Sequence, residues 1–150
     1  MTLVRNPQRE KTGFFLRAET MFNVATEIEQ GGYHVYGWEN LHTRSHGEAF
    51  LWLMQNRFSQ NGLYILDEPE SALSPQRQLA ALRLIHELVV RGSQFIIATH
   101  SPILMAYPDA TLYWLDEKGI QEKTLAETEH YQVTLDFLTQ TKTILHHLMS

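Results

Sequence analysis

The chain has 150 residues, 43% of them hydrophobic, 11% aromatic and 19% charged; twelve Lys and Arg against seventeen Asp and Glu leave a formal charge of -5. This supplies one domain with a core and excludes a disordered, collagenous or coiled-coil chain. The acidic balance does not indicate nucleic acid, no apolar run approaches the ~20 residues of a membrane span, and zero Cys removes a disulfide framework or a Cys-based zinc site. Met1 to Lys11 is polar, without the apolar centre of a secretory signal. A soluble, cytoplasmic protein is expected.

After that lead-in, Phe15, Met21, Phe22, Ala25 and Ile28 recur at roughly helical spacing, so a helix is expected from Phe14 to Gln30, stopped by Gly31-Gly32. Gly31 to Thr43 reads as a loop. Ser45 followed by Glu48 is a capping box, and Phe50, Leu53, Met54 and Phe58 form one apolar stripe, which predicts a helix over 45–58. Asn61-Gly62 marks a turn. Leu63-Tyr64-Ile65-Leu66 is a short, unalternated apolar run that suits a strand buried on both faces of a parallel sheet.

Ser74 as N-cap, Pro75 at the first helical position and Gly92 as a stop delimit the next helix, with Leu79, Leu82, Ile85 and Val89 on one face. Phe95-Ile96-Ile97-Ala98 is a second buried-type strand, Thr111 to Leu115 a third, and Lys118-Gly119 turns into a short fourth around Ile120. A last helix is expected over Tyr131 to Met149. Strands separated by helices imply right-handed crossovers and an α/β fold with a mostly parallel sheet flanked by helices.

Three places carry chemistry. The strand ending in Asp67-Glu68-Pro69 delivers two carboxylates to the end of the sheet where open α/β folds bind ligands. One can hold Mg²⁺, and the other can orient or deprotonate a water; the plainer reading is a polar strand exit. Ala98-Thr99-His100-Ser101-Pro102 places a His at the same end of its own strand. Arg44-Ser45-His46-Gly47-Glu48 opens a helix, whose exposed N–H groups suit a phosphate or simply an ordinary cap. Other groups read as structural: His42 and His46 have no third ligand nearby, His86-Glu87 lacks the second His of a metalloprotease motif, and His146-His147 sits where a helix C-terminus favours His.

In this order the three motifs resemble the nucleotide-binding domain of ABC-type ATPases, within the P-loop NTPase superfamily. Residues 44–48 resemble the LSGGQ signature, Leu63 to Glu68 the Walker B strand with its catalytic glutamate, Ser71-Ala72-Leu73-Ser74 the D-loop, and His100 the switch histidine. The resemblance covers about residues 40 to 105. Gly13 to Glu19 and the signature variant look closest to soluble bacterial AAA-family ATPases that work without a transporter. Arg44, His46 and Glu48 depart from the signature's Leu, Gly and Gln, and Ser74 departs from the D-loop's usual Asp. The Gly-x-x-x-x-Gly-Lys-Ser/Thr phosphate loop, Walker A, has no counterpart: Gly32 and Gly37 have the spacing, but Trp38-Glu39 follows.

The resemblance implies ATP with Mg²⁺, bound between two head-to-tail domains. Asp67 would organise the metal, Glu68 and His100 would be catalytic, and Ser45, Gly47, Glu48 and Ser71 would reach the nucleotide or the dimer seam. Residues 1–150 are then expected to be the C-terminal portion of one such domain, a partial P-loop NTPase fold lacking the Walker A strand, loop and helix, because a complete domain needs on the order of 200 residues. The expected partner is a second copy or another ATPase subunit that carries Walker A, and the chain alone should turn over little ATP. The alternatives are a non-catalytic pseudo-ATPase that only pairs, and the ATP-binding subunit of a transporter. Without the central strand, Phe95 to Ala98 and Thr111 to Leu115 are expected to pair directly or to recruit a partner, or else to leave the chain marginal.

Overall fold

The computed structural model describes residues 12–17 and 45–150. The chain divides into two compact units, Met1–Thr99 and His100–Ser150.

The first unit is built on a three-stranded parallel sheet of β1 (Thr12–Arg17), β2 (Gly62–Asp67) and β3 (Gln94–Ala98), in that spatial order. Helix α1 (His46–Arg57) precedes β2, and α2 (Pro75–Val90) crosses from β2 to β3. Both helices begin where the caps predict. The Ser45 N–H donates to the Glu48 carboxylate at 3.0 Å, closing the capping box, and the Ser74 hydroxyl accepts from the Arg77 N–H ahead of Pro75.

The two faces of this sheet differ. Phe14, Tyr64 and Phe95 share one register row. On that side Phe58 stacks on Tyr64 with ring centroids 4.0 Å apart, and Phe95 lies 5.1 Å from Tyr64. The same side buries Leu16 and Leu66, and the core is completed by Phe50, Leu53 and Met54 of α1 with Ala81, Ile85 and Leu88 of α2. The next row, Phe15, Ile65 and Ile96, points the other way and is exposed by 61%, 36% and 52%. The expectation of strands buried on both faces is therefore corrected, because among the described residues the core contacts fall on one side.

Phe14 to Arg17 lies in strand β1 instead of starting a helix. An apolar run of this length has no period to separate strand from helix, and pairing with β2 decides it. The remainder of the expected helix, the loop over 31–43 and any strand within 1–11 lie outside the described residues.

The second unit begins with helix α3 (Pro102–Met105), capped by the Ser101 hydroxyl, which accepts from the Ile103 and Leu104 N–H groups. Strands β4 (Leu112–Asp116) and β5 (Gly119–Lys123) form an antiparallel hairpin of their own. Its turn is closed by the Lys118 N–H donating to Asp116 at 2.8 Å and by Gly119 at φ 109°, where only glycine is unstrained. Among the described residues the expected third strand is thus not in the parallel sheet, since this turn pairs Asp116 with Gly119, three positions on. Among the described residues β3 pairs only with β2 and β4 only with β5, so direct pairing of β3 with β4 is also corrected.

A 3₁₀ turn (Leu125–Glu127) carries a second capping box, in which the Thr124 hydroxyl, then its backbone N–H and the charge of Lys123, hold the Glu127 carboxyl below its ordinary range. The single expected C-terminal helix is two, α4 (Glu129–Thr139) and α5 (Thr141–Leu148). Thr139 and Thr141 flank the break and donate their hydroxyls to the carbonyls of Leu135 and Phe137, a back-bonding that competes with the helix ladder. Among the described residues no helix is long and apolar enough to cross a membrane.

Candidate functional site

The parallel register brings Arg17, Asp67 and Ala98 into one row at the C-terminal edge of the sheet. Alternation along β2 places Asp67 on the same face as Ile65, the exposed one. The Arg17 Nε donates to Asp67 Oδ2 at 2.7 Å, with the Asp67 side chain 26% exposed. Asp67 is therefore an accessible carboxylate already paired with a cation, and any metal at this position competes with, or joins, that guanidinium. Spacing in the sequence did not single out Arg17 as part of the site, because its link to Asp67 exists only through the β1–β2 register.

Glu68 is held in the left-handed region, at φ 48° and ψ 50°. This costs a residue with a Cβ about 1–2 kcal/mol. Backbone hydrogen bonds hold it there. The Glu68 N–H donates to the Ala98 carbonyl at 2.9 Å, and the Glu68 carbonyl accepts from the Ser71 N–H at 3.0 Å and the Ser71 hydroxyl at 2.9 Å. Pro69 then opens a 3₁₀ turn, Pro69–Ser71. The result is a strand that ends abruptly and presents an exposed carboxylate beside Asp67. Replacing Glu68 by Gly removes the strain, so Glu68→Gly is expected to raise unfolding stability by about 1 kcal/mol. Urea denaturation measures it, and a loss of stability would show that the side chain itself anchors the turn.

The end of β3 is tied to the same loop, with Thr99 Oγ1 donating to Glu70 Oε2 at 2.7 Å. Neither residue stood out in the sequence, yet together they fix the polar segments following β2 and β3 against each other.

The helix start at residues 45–48 has a strong structural role. Gly47 is buried, and a Cβ there would meet the Ala72 carbonyl oxygen at 2.8 Å and the Arg77 side chain at 2.7 Å. Glu48, besides closing the capping box, accepts from Arg77 Nη2 at 2.8 Å. The signature-like segment, the loop over Ser71 to Ser74 and the first turn of α2 thus pack as one piece. Within residues 45–48, Ser45, His46 and Glu48 are exposed and Gly47 is buried. Because a backbone oxygen blocks the space, Gly47→Ala is expected to cost about 1–3 kcal/mol. A melting temperature equal to wild type would refute this packing.

His100 is exposed and lies two residues beyond the end of β3. Within its own unit, its Nδ1 is 3.1 Å from Nε2 of His130 on α4, with ring centroids 4.9 Å apart. Among the described residues no group of three or more His, Asp or Glu side chains is arranged to hold a metal ion. One carboxylate suffices for Mg²⁺ when phosphates and waters complete its shell.

Residues 46–106 match the model of a family described as "AAA domain, putative AbiEii toxin, Type IV TA system". This stretch is similar to an AAA-type, P-loop NTPase-like domain. It contains α1, β2, α2 and β3, the carboxylate pair and His100, and spans less than half of the chain. At this coarse level the match supports a nucleotide-binding, ATPase-like function. No curated protein and no solved structure gave a match.

Proposed function

We propose that this chain supplies the Walker B, D-loop, switch-histidine and signature side of an ABC-type ATPase site, and that a partner carrying Walker A supplies the rest. The carrying observation is Glu68, an exposed residue held in the left-handed region directly after Asp67 at the C-terminal end of a parallel strand. Sites of strained backbone that the surrounding hydrogen bonds hold in place concentrate where chemistry occurs.

In this reading Asp67 holds Mg²⁺, directly or through water, and Glu68 takes a proton from the attacking water or orients it. The carboxylate donor fits a hard cation, which would neutralise charge on the phosphates of bound ATP. Arg17 balances the charge of Asp67 and restrains its carboxylate. Ser71, whose hydroxyl holds the Glu68 carbonyl, links the D-loop to the position of that carboxylate. His100 donates to a phosphate oxygen, and Ser45 lies exposed at the helix start, where a nucleotide held by the opposite subunit would meet the positive end of the helix dipole. Gly47 and Glu48 serve that surface by shaping it.

The exposed row Phe15, Ile65 and Ile96 supports the reading of residues 1–150 as part of a larger nucleotide-binding domain, since parallel sheets are ordinarily covered on both faces. The test is calorimetry and turnover. The purified chain is expected to bind Mg-ATP weakly and to hydrolyse it negligibly, and addition of a subunit with an intact Walker A is expected to restore turnover. Micromolar affinity with steady turnover by the chain alone would overturn the division of labour. The pairing-only reading predicts instead a stable complex in which Glu68→Gln changes nothing.

A further inference from the structure

The pair formed by His100 and His130 is not used in the reading above beyond His100 itself. Their 3.1 Å separation is a hydrogen bond between two ring nitrogens, Nδ1 of His100 and Nε2 of His130. A neutral imidazole carries one N–H, so exactly one ring donates. The second nitrogen of His130 settles the direction. His130 Nδ1 is buried and has no hydrogen-bond partner. If it carried the proton, a buried N–H would be left without an acceptor, while Nε2 only received a bond. With the proton on Nε2, that N–H reaches the acceptor available to it, and the buried Nδ1 carries a lone pair in place of an unpaired N–H.

We infer that His130 is a positioning residue for His100: it donates its Nε2–H to His100 Nδ1, which keeps the His100 proton on Nε2. That is the tautomer able to donate to an anionic oxygen, so the inference rests on the reading of His100 as a phosphate contact. The support for His130 is built into the second unit. Helix α4 starts at Glu129 beside the buried Thr128, whose hydroxyl donates to the Leu125 carbonyl at 2.7 Å. The Trp114 ring of β4 lies 5.5 Å from the His130 ring, and Lys123 Nζ of β5 sits 4.5 Å from the Trp114 centroid. The hairpin and α4 therefore have a task within their unit: they hold the ring that orients His100. A fixed second partner setting the tautomer of a working histidine is the arrangement by which such side chains are commonly tuned.

Long-range proton–nitrogen correlation spectra of the full chain, at mildly alkaline pH, read the tautomer of each ring. Wild type is expected to show His100 with a protonated Nε2 and an unprotonated Nδ1. In His130→Phe both His100 nitrogens are expected to move toward the averaged shifts of a mixed tautomer, and His130→Gln, whose amide N–H replaces the lost donor, should restore the wild-type pattern. Identical His100 shifts in wild type and His130→Phe would overturn the inference. So would a wild-type His100 protonated on Nδ1, a measurement that stands even if the Phe variant does not fold. Turnover with a Walker A-bearing subunit separates this from the ATPase reading: altered His100 shifts with a fall in kcat at constant KM support both, whereas altered shifts with unchanged kcat support the pair and remove His100 from the ATP site.

Discussion

Glu68→Gln is expected to lower ATP turnover by about 10²–10⁴-fold, the range supplied by a positioned general base, when the chain is assayed with a subunit that provides Walker A. Nucleotide binding by the complex should be retained. The substitution keeps the size of the side chain, and it leaves in place the bonds from the Glu68 N–H to Ala98 and from Ser71 to the Glu68 carbonyl. Its stability should therefore stay within about 0.5 kcal/mol of wild type. This isolates the carboxylate from the fold. Turnover that survives the change would assign Glu68 to the shape of the loop and leave the base to be found elsewhere. Paired with Glu68→Gly, the experiment separates two roles of one position: the glycine variant gains stability and loses activity, as expected where a strained residue is kept for its chemistry.

Tyr64→Ala is expected to destabilise the first unit by about 3–5 kcal/mol, enough to unfold a domain of ordinary stability. Tyr64 is 1% exposed, stacks on Phe58 and meets Phe95, so truncation removes the centre of the aromatic cluster between the sheet and the end of α1. Its hydroxyl donates to the Ser59 carbonyl at 2.8 Å. It also accepts from the Ser59 N–H, so Tyr64→Phe should cost about 1–3 kcal/mol through these bonds. Thermal unfolding of both variants measures the difference. If the two variants melt together, the ring stack contributes little and the hydroxyl is what matters. The consequence reaches the site, because Tyr64 and Asp67 lie on one short strand and the position of the carboxylates depends on the seating of β2.

The exposed row Phe15, Ile65 and Ile96 follows from the same strand. β2 alternates between a face packed with aromatic rings and a face that carries Ile65 and Asp67. The carboxylate proposed to meet Mg²⁺ is thus on the open side.

Much of the molecule was legible in sequence because it is locally determined. The Ser45–Glu48 and Ser74–Pro75 helix starts, the Asn61-Gly62 turn, the short apolar strands ending in Asp67 and Ala98, and the Lys118-Gly119 turn all depend on groups within a few residues of one another, and each stands where it was expected. The order of Asp67, Glu68, Ser71 and His100 was likewise readable, since strand ends carry their polar residues with them.

What only the tertiary structure decided depends on partners distant along the chain. Residues 12–17 are a strand because β2, some fifty positions later, offers a parallel register. The hairpin left the parallel sheet because its own turn provided a nearer partner, and the last helix broke where Thr139 and Thr141 turned their hydroxyls back on its ladder. The left-handed turn at Glu68 depends on the Ala98 carbonyl, the Asp67 carboxylate on Arg17, and the orientation of His100 on His130. Local chemistry chose the residues of the candidate site; hydrogen bonds between segments far apart in sequence set their geometry, and no periodicity or spacing encodes those.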